Sequence, residues 1–183
     1  MSKLKVEIKD LKESPYILEL NEIPSRLDLT ECEPYEFKGK ITGSIEFRLV
    51  GNDVLAEGKI KSTCETFCSR CLENIKVEHT SDFNVVYIIK DEFTTENLEE
   101  EVSPDGMVEC PYDGEVIFPA NEIRETILID MPDIPLCSDQ CKGICQYCGA
   151  NLNKEECQCD KAKIDEENMP DWKKKLKDIN FEK

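Results

Sequence analysis

Through the first half of the chain, apolar and polar positions alternate. Leu4, Val6 and Ile8 alternate with Lys5 and Glu7, the signature of a short edge strand. The segment from Tyr16 to Leu29 is flanked and broken by Pro15 and Pro24 and predicts only a short element. From residue 35 the strand pattern becomes sustained. Phe37 to Ile41 leads into Gly43–Val50, where Ile45, Phe47 and Leu49 fall on one face. Gly51-Asn52-Asp53 supplies a turn, and a partner strand runs from Val54 through Thr63 to Cys64. Two further strand-like runs follow, Ile75 to Glu78 and Asp82 to Lys90.

The period changes at residues 120–131. Ile123 and Ile127 lie four apart with Leu128 beside them, which predicts one helix, opened after Pro119 and stopped by Pro132. The tail, Pro170-Asp171-Trp172 onward, places Trp172, Leu176 and Ile179 on one helical face among Lys173, Lys174, Lys175 and Lys177. The expected fold class is α+β: a small antiparallel sheet or partial barrel with one or two packed helices and a C-terminal cysteine-rich module. The expected organisation is a sheet-plus-helix domain over residues 1–135, a cysteine-rich module over 136–160, and a charged linker with amphipathic tail over 161–183.

Charge narrows the partners. With 40 acidic against 23 basic residues the formal net charge is −17. That field repels nucleic acid and attracts basic partners, so any RNA contact has to come from a local basic patch. Residues 91–115 hold ten acidic side chains and no basic one. They read as a solvated loop, or as a docking surface for a basic partner. No apolar run is long enough for a membrane helix, and the first residues lack the apolar stretch of a secretory signal. The expectation is a cytoplasmic protein that binds neither membrane nor small-molecule substrate.

Cysteine is the candidate chemistry. Six of the eleven cysteines fall within residues 137–159, and three more form Cys64-x3-Cys68-x2-Cys71. In a reducing compartment this spacing favours metal over disulfides. Cys145-Gln-Tyr-Cys148-Gly149 reads as a metal-binding knuckle, because Gly149 permits the left-handed turn such a knuckle needs. With Cys157 and Cys159 it makes four thiolates, the ligand set of a structural zinc ion in a short zinc ribbon. Cys68-Ser-Arg-Cys71 is a second knuckle, and joined to Cys137 and Cys141 it makes a second site. Cys32, Cys64 and Cys110 are then ordinary thiols. Three alternatives stay open: one zinc site only, an iron–sulfur cluster, or redox-active thiols. All-thiolate sites and a lone histidine, His79, argue against catalysis. No glycine-rich phosphate loop, HExxH or GxSxG motif occurs. Arg70 in the knuckle is a candidate for an RNA phosphate or for an ion pair with Glu65 or Glu73. Trp172 is a candidate for base stacking, with Lys173, Lys174, Lys175 and the pair Lys59 and Lys61 as basic partners.

Two stretches carry a resemblance to a known family. Residues 64–78 (CETFCSRCLENIKVE) resemble the cysteine motif of the bacterial YceD family, the large ribosomal RNA subunit accumulation proteins. ILIDMPDIPLCSDQCKGICQYCGANLN, followed by Cys157 and Cys159, is similar to the family's long-form C-terminal signature. The ending from Pro170 to Leu176 is similar too. The resemblance runs from about Gly39 to Leu176. It implies a non-enzymatic role in bacterial ribosome biogenesis, in the accumulation of 23S ribosomal RNA. The direct partner is then large-subunit ribosomal RNA or a basic large-subunit ribosomal protein.

Overall fold

The structure, a computed structural model, describes residues 4–89 and 108–159. It is mostly sheet. The elements in chain order are β1 (Val6–Glu7), α1 (Ile8–Leu11), β2 (Tyr16–Glu22), a 3-10 turn (Pro24–Arg26), β3 (Glu36–Phe37), β4 (Ile41–Val50), β5 (Asp53–Phe67), β6 (Asn74–Ile89), β7 (Val108–Tyr112), β8 (Val116–Ile117) and α2 (Ala120–Ile129). The main sheet has the order β2-β4-β5-β6-β7, with β3 paired to β5 beside this path. β1 and β8 form a separate two-stranded ladder.

The β4–β5 hairpin follows the alternation. Its register runs from Thr42↔Lys61 to Val50↔Asp53, closed by Gly51-Asn52 with Gly51 at φ 68°. Ile41, Ile45 and Phe47 on β4 and Val54, Ala56 and Ile60 on β5 are fully buried. Two glycines let these strands approach: a Cβ on Gly58 would sit 2.3 Å from the Ser44 carbonyl oxygen, and one on Gly43 would sit 2.1 Å from that of Lys59.

Four features depart from the sequence reading. First, the Pro-flanked segment after Pro15 is a full edge strand, β2, paired antiparallel to β4 from Tyr16↔Phe47 to Glu22↔Ile41. Pro15 and Pro24 lie just outside it, where they cost no ladder hydrogen bond. Second, the expected edge strand over 4–8 is only two residues long. Ile8 to Leu11 turn into a helix that buries Ile8 and Leu11. Third, the two runs after the first knuckle are one 16-residue strand, β6. Fourth, residues 108–112 of the acidic segment form β7, and β7 pairs parallel to β6, from Val85↔Val108 to Ile89↔Tyr112. The sheet is therefore mixed rather than purely antiparallel. A parallel partner needs a connection of a dozen or more residues, and the sequence between Ile89 and Val108 is longer than that. Pro111 is tolerated because β7 is the last strand on the path.

Helix α2 spans Ala120–Ile129 after Pro119 and buries Ile123 and Ile127, as the four-residue spacing predicts. It packs on β6. The core joins these residues to Phe47, Phe83, Tyr87, Leu27, Leu29 and Ile117. Phe47 and Tyr87 stack with ring centroids 6.3 Å apart. Cys64 is buried in this core, with its Sγ 3.9 Å from the Met131 Sδ. Cys110 is buried on β7, and Cys32 is half-buried beside Tyr35.

The chain divides into two compact units. One comprises Met1–Thr66 with Asn74–Asp133; the other comprises Phe67–Glu73 with Ile134–Lys183. The sequence reading placed residues 67–73 with the sheet. They group instead with the later cysteines, because the knuckle they form is closed by partners beyond residue 134.

Candidate metal centres

The second unit is built around two knuckles with the same backbone geometry. In the first, Cys68 N–H donates to the Glu73 carbonyl at 2.8 Å, and Leu72 N–H donates to the Cys68 carbonyl at 2.9 Å. In the second, Cys145 N–H donates to the Ala150 carbonyl at 2.8 Å, and Gly149 N–H to the Cys145 carbonyl at 2.9 Å. The residue after the second cysteine is left-handed in both, with φ 60° at Leu72 and 74° at Gly149. Each turn aims two sulfurs to one side and leaves amide hydrogens pointing at them.

Each knuckle is completed by two further cysteines. The sulfurs of Cys68, Cys71, Cys137 and Cys141 all lie within 4.8 Å of one another, and so do those of Cys145, Cys148, Cys157 and Cys159. The sequence assigned these eight residues to these two groups, and the structure brings them together in that pairing. In the first cluster Cys68 and Cys141 are 3.8 Å apart and Cys71 and Cys137 3.6 Å. In the second, Cys148 and Cys157 are 3.6 Å apart and Cys157 and Cys145 3.2 Å.

These separations bear on the chemistry. A zinc–sulfur bond of about 2.3 Å in a tetrahedron sets sulfur–sulfur edges of about 3.8 Å. A polynuclear iron–sulfur cluster interposes its own iron and sulfide and holds its thiolates further apart. Three of the four separations lie close to that edge and Cys157–Cys145 is shorter; four sulfurs without oxygen or nitrogen suit a thiophilic metal.

The electrostatics agree. Burial pushes the Cys68 thiol up, but the amides of Cys71, Cys137 and Arg70 outweigh it and bring it down to about 6. The amides of Cys148 and Tyr147 hold Cys145 at about 6 as well. Cys137 is pushed up to about 12 by the neighbouring sulfurs of Cys141 and Cys71, and Cys159 to about 12 by those of Cys157 and Cys148. Within each cluster the titration belongs to the group. The amides make the first thiolate easy to form, and the crowding makes the last one hard. A dication at the centre reverses that second cost, since it favours all four charges.

Between the clusters the chain is short and densely bonded. Gly143 is at φ 76°, and a Cβ there would meet the Arg70 carbonyl oxygen at 3.1 Å, so only glycine fits without displacement. Ile144 N–H donates to that same Arg70 carbonyl at 3.1 Å, and Leu152 N–H donates to the Gly143 carbonyl at 2.9 Å. The Arg70 guanidinium donates to the carbonyls of Cys141 at 3.2 Å and Asp139 at 3.4 Å. The ion pair considered for Arg70 with Glu65 or Glu73 does not form. Glu73 is taken by Lys154 at 2.8 Å and by the Asn151 amide at 3.1 Å, and Lys154 draws its carboxyl below the usual range. The sequence reading has Glu73 only as a partner for Arg70, and it does not single out Asn151 or Asn153. The Asn-Leu-Asn stretch gave only a turn signal.

The other sequence candidates fare differently. Trp172, Lys173, Lys174 and Lys175 lie outside the described residues. Lys59 pairs with Asp82, and Arg48 with Glu57. His79 lies on β6 as expected.

A mixed sheet with the short helices α1 and α2, plus a unit carrying two four-cysteine clusters, defines a cysteine-clustered α+β protein. The sequence profile described as "Large ribosomal RNA subunit accumulation protein YceD" matches residues 56–179, more than half of the chain, and the chain belongs to that family. A curated relative from Arabidopsis thaliana, the chloroplastic "Large ribosomal RNA subunit accumulation protein YCED homolog 1", is 25% identical over 129 residues. That match covers 60% of this chain and 40% of the relative, so the chain spans well under half of that relative's length. No solved structure gives a significant match.

Proposed function

We propose that the chain is a non-enzymatic assembly factor that supports accumulation of the large-subunit ribosomal RNA, with two structural zinc ions holding its cysteine-rich unit. The observation that carries this reading is the family match over a region that contains both four-thiolate clusters. Each cluster offers four protein ligands to one ion. A tetrahedral ion held by them keeps no open position for substrate, which is the arrangement of a structural rather than a catalytic metal. Zinc suits the sulfur-only donor set and undergoes no redox change.

For direct contact, a basic large-subunit ribosomal protein is the better-supported partner. Net charge is −17, and basic side chains of the sheet unit are engaged by carboxylates: Arg48 by Glu57 and Glu46, Lys59 by Asp82, Lys76 by Glu78, Arg26 by Glu22. RNA contact through Arg70 and the tail residues Trp172, Lys173, Lys174 and Lys175 is the second reading, favoured by the run of lysines in the sequence. A cytoplasmic location goes with either.

The test is binding of the purified protein to 23S fragments and to basic large-subunit proteins at about 150 mM salt, where nonspecific charge effects are screened. Protein binding without RNA binding supports the acidic-module reading. Tight RNA binding without protein binding refutes it. Binding to neither removes the support for direct action on the large subunit.

A further inference from the structure

Side chains of the second cluster's loop bond to the first cluster, and one of them, Asn153, reaches a cysteine sulfur there. Asn153 lies in the loop between Cys148 and Cys157 of the second cluster. Its Nδ2 nevertheless donates to the Sγ of Cys141, a member of the first cluster, at 3.2 Å. Its Oδ1 accepts from Lys142 N–H at 2.8 Å, directly after that cysteine. Asn151 organises it: the Asn151 Oδ1 accepts from Asn153 N–H at 3.0 Å and from Asn153 Nδ2 at 3.1 Å. Asn151 itself donates to Glu73, and Lys154 pairs with Glu73, whose carbonyl receives the amide of Cys68. The loop 151–154 thus touches both halves of the first cluster, the Cys68 knuckle through Glu73 and Cys141 through Asn153.

We infer that the two clusters take up metal cooperatively, and that Asn153 is the positioning residue that couples them. The inference rests on the reading of both clusters as structural metal sites. A neutral amide hydrogen on a metal thiolate stabilises the anionic, metal-ready sulfur and fixes its direction. Asn153 delivers that hydrogen only while the 149–156 loop is held in place; Glu73 and the Gly143 carbonyl hold its middle, and a metal on Cys145, Cys148, Cys157 and Cys159 would tie down both of its ends. Filling the second cluster therefore raises the affinity of the first. By linkage, filling the first raises the affinity of the second by the same factor.

Asn153 is exposed, so its replacement leaves no hole in the core. The experiment titrates the metal-free, reduced full chain with Co(II), reading thiolate charge-transfer bands, and then competes Zn(II) against a chelator of known affinity. Four chains are compared: wild type, Asn153→Ala, Cys157→Ala and the double variant. Circular dichroism checks that each retains its sheet. Asn153→Ala is expected to keep two metals while weakening the first site about 10- to 100-fold, the range typical for loss of a hydrogen-bond partner to a ligand. Cys157→Ala is expected to weaken the remaining Cys68, Cys71, Cys137 and Cys141 site to a similar extent. Adding Asn153→Ala to it should then cause little further loss, because the donor is already unplaced. A first site of wild-type affinity in Cys157→Ala, or fully additive losses in the double variant, would overturn the coupling while leaving two metal sites intact. A wild-type chain that binds no metal would overturn the metal reading itself.

Discussion

Leu72 and Gly149 occupy the same place in two separate knuckles. Each follows the second cysteine of its pair, each is left-handed, and each donates its amide to the carbonyl of the first cysteine at 2.9 Å. One place holds the residue that such a turn favours and the other holds a branched side chain that is 62% exposed. An L-residue in this conformation costs roughly 1–2 kcal/mol, because its Cβ crowds the following carbonyl.

The two positions should therefore answer substitution with opposite signs. Gly149→Leu is expected to destabilise the cysteine-rich unit by about 1–2 kcal/mol. Leu72→Gly releases comparable strain but loosens the unfolded chain by about 0.5–1 kcal/mol, so it should be neutral to slightly stabilising. Thermal denaturation of the metal-loaded protein measures both. Equal destabilisation by the two changes would show that Leu72 makes contacts that outweigh its strain.

Metal retention should depend on pH in a defined direction. Cys68 and Cys145 are held at about 6, below the ordinary thiol value. Their thiolates favour the folded, metal-ready state above the unfolded value of about 8.5, and that contribution is lost as pH falls through 6. Protons then compete with the ion for every sulfur. Metal release followed by a chromogenic chelator should be slight at pH 8 and extensive below about pH 5. Equal retention at pH 4 and pH 8 would contradict thiolate ligation.

Tyr87 should contribute to the loss of stability of the sheet unit at alkaline pH. Burial pushes its phenol far above the usual range, with Glu122 and Cys110 adding to the effect. A raised value means the neutral form is the one that fits. Its contribution is fully present below the unfolded value of about 10 and is lost as pH rises beyond it. Among the described residues its hydroxyl makes no hydrogen bond. Tyr87→Phe keeps the stack on Phe47 and removes an unsatisfied polar group, so it should be neutral or stabilising at pH 7. It should also move the midpoint of alkaline unfolding upward. A loss of stability above about 1 kcal/mol at pH 7 would reveal a partner for the hydroxyl.

The second cluster should also be separable from the sheet. Cys148→Ser removes one of four ligands from a cluster that lies wholly within the cysteine-rich unit. Loss of order around residues 145–159, with the β-sheet circular dichroism and the cooperative melting of the sheet unit retained, is the expected outcome. Global unfolding of the variant would show that the module does not fold by itself.

The sequence disclosed the cysteine chemistry more fully than the fold. CxxC spacing and Gly149 point to the knuckles because metal geometry constrains local sequence tightly, whereas the pairing of the other cysteines with them stayed open among one site, two sites or other thiol chemistry. The β4–β5 hairpin and α2 were legible for a similar reason: Ile45, Phe47 and Leu49 alternate, and Ile123 and Ile127 lie one turn apart. β7 was hidden because Glu109 and Pro111 give its five residues a loop-like composition. Only pairing with β6, a contact between distant parts of the chain, makes it a strand. β2 was masked by flanking prolines that in fact delimit it. Asn153 and Glu73 could not be read as coupling residues, since nothing local distinguishes an asparagine in a turn from one that donates to a distant thiolate.

The most direct measurement is the metal content of the chain, purified under reducing conditions and weighed by native mass spectrometry before and after denaturation. The account predicts the added mass of two zinc ions per chain in the native spectrum. Thiol labelling of the folded, metal-loaded chain should spare the eight cluster cysteines, and labelling after denaturation with a chelator should reach all eleven. One ion per chain, iron with inorganic sulfide, or eight cysteines paired as disulfides would contradict it.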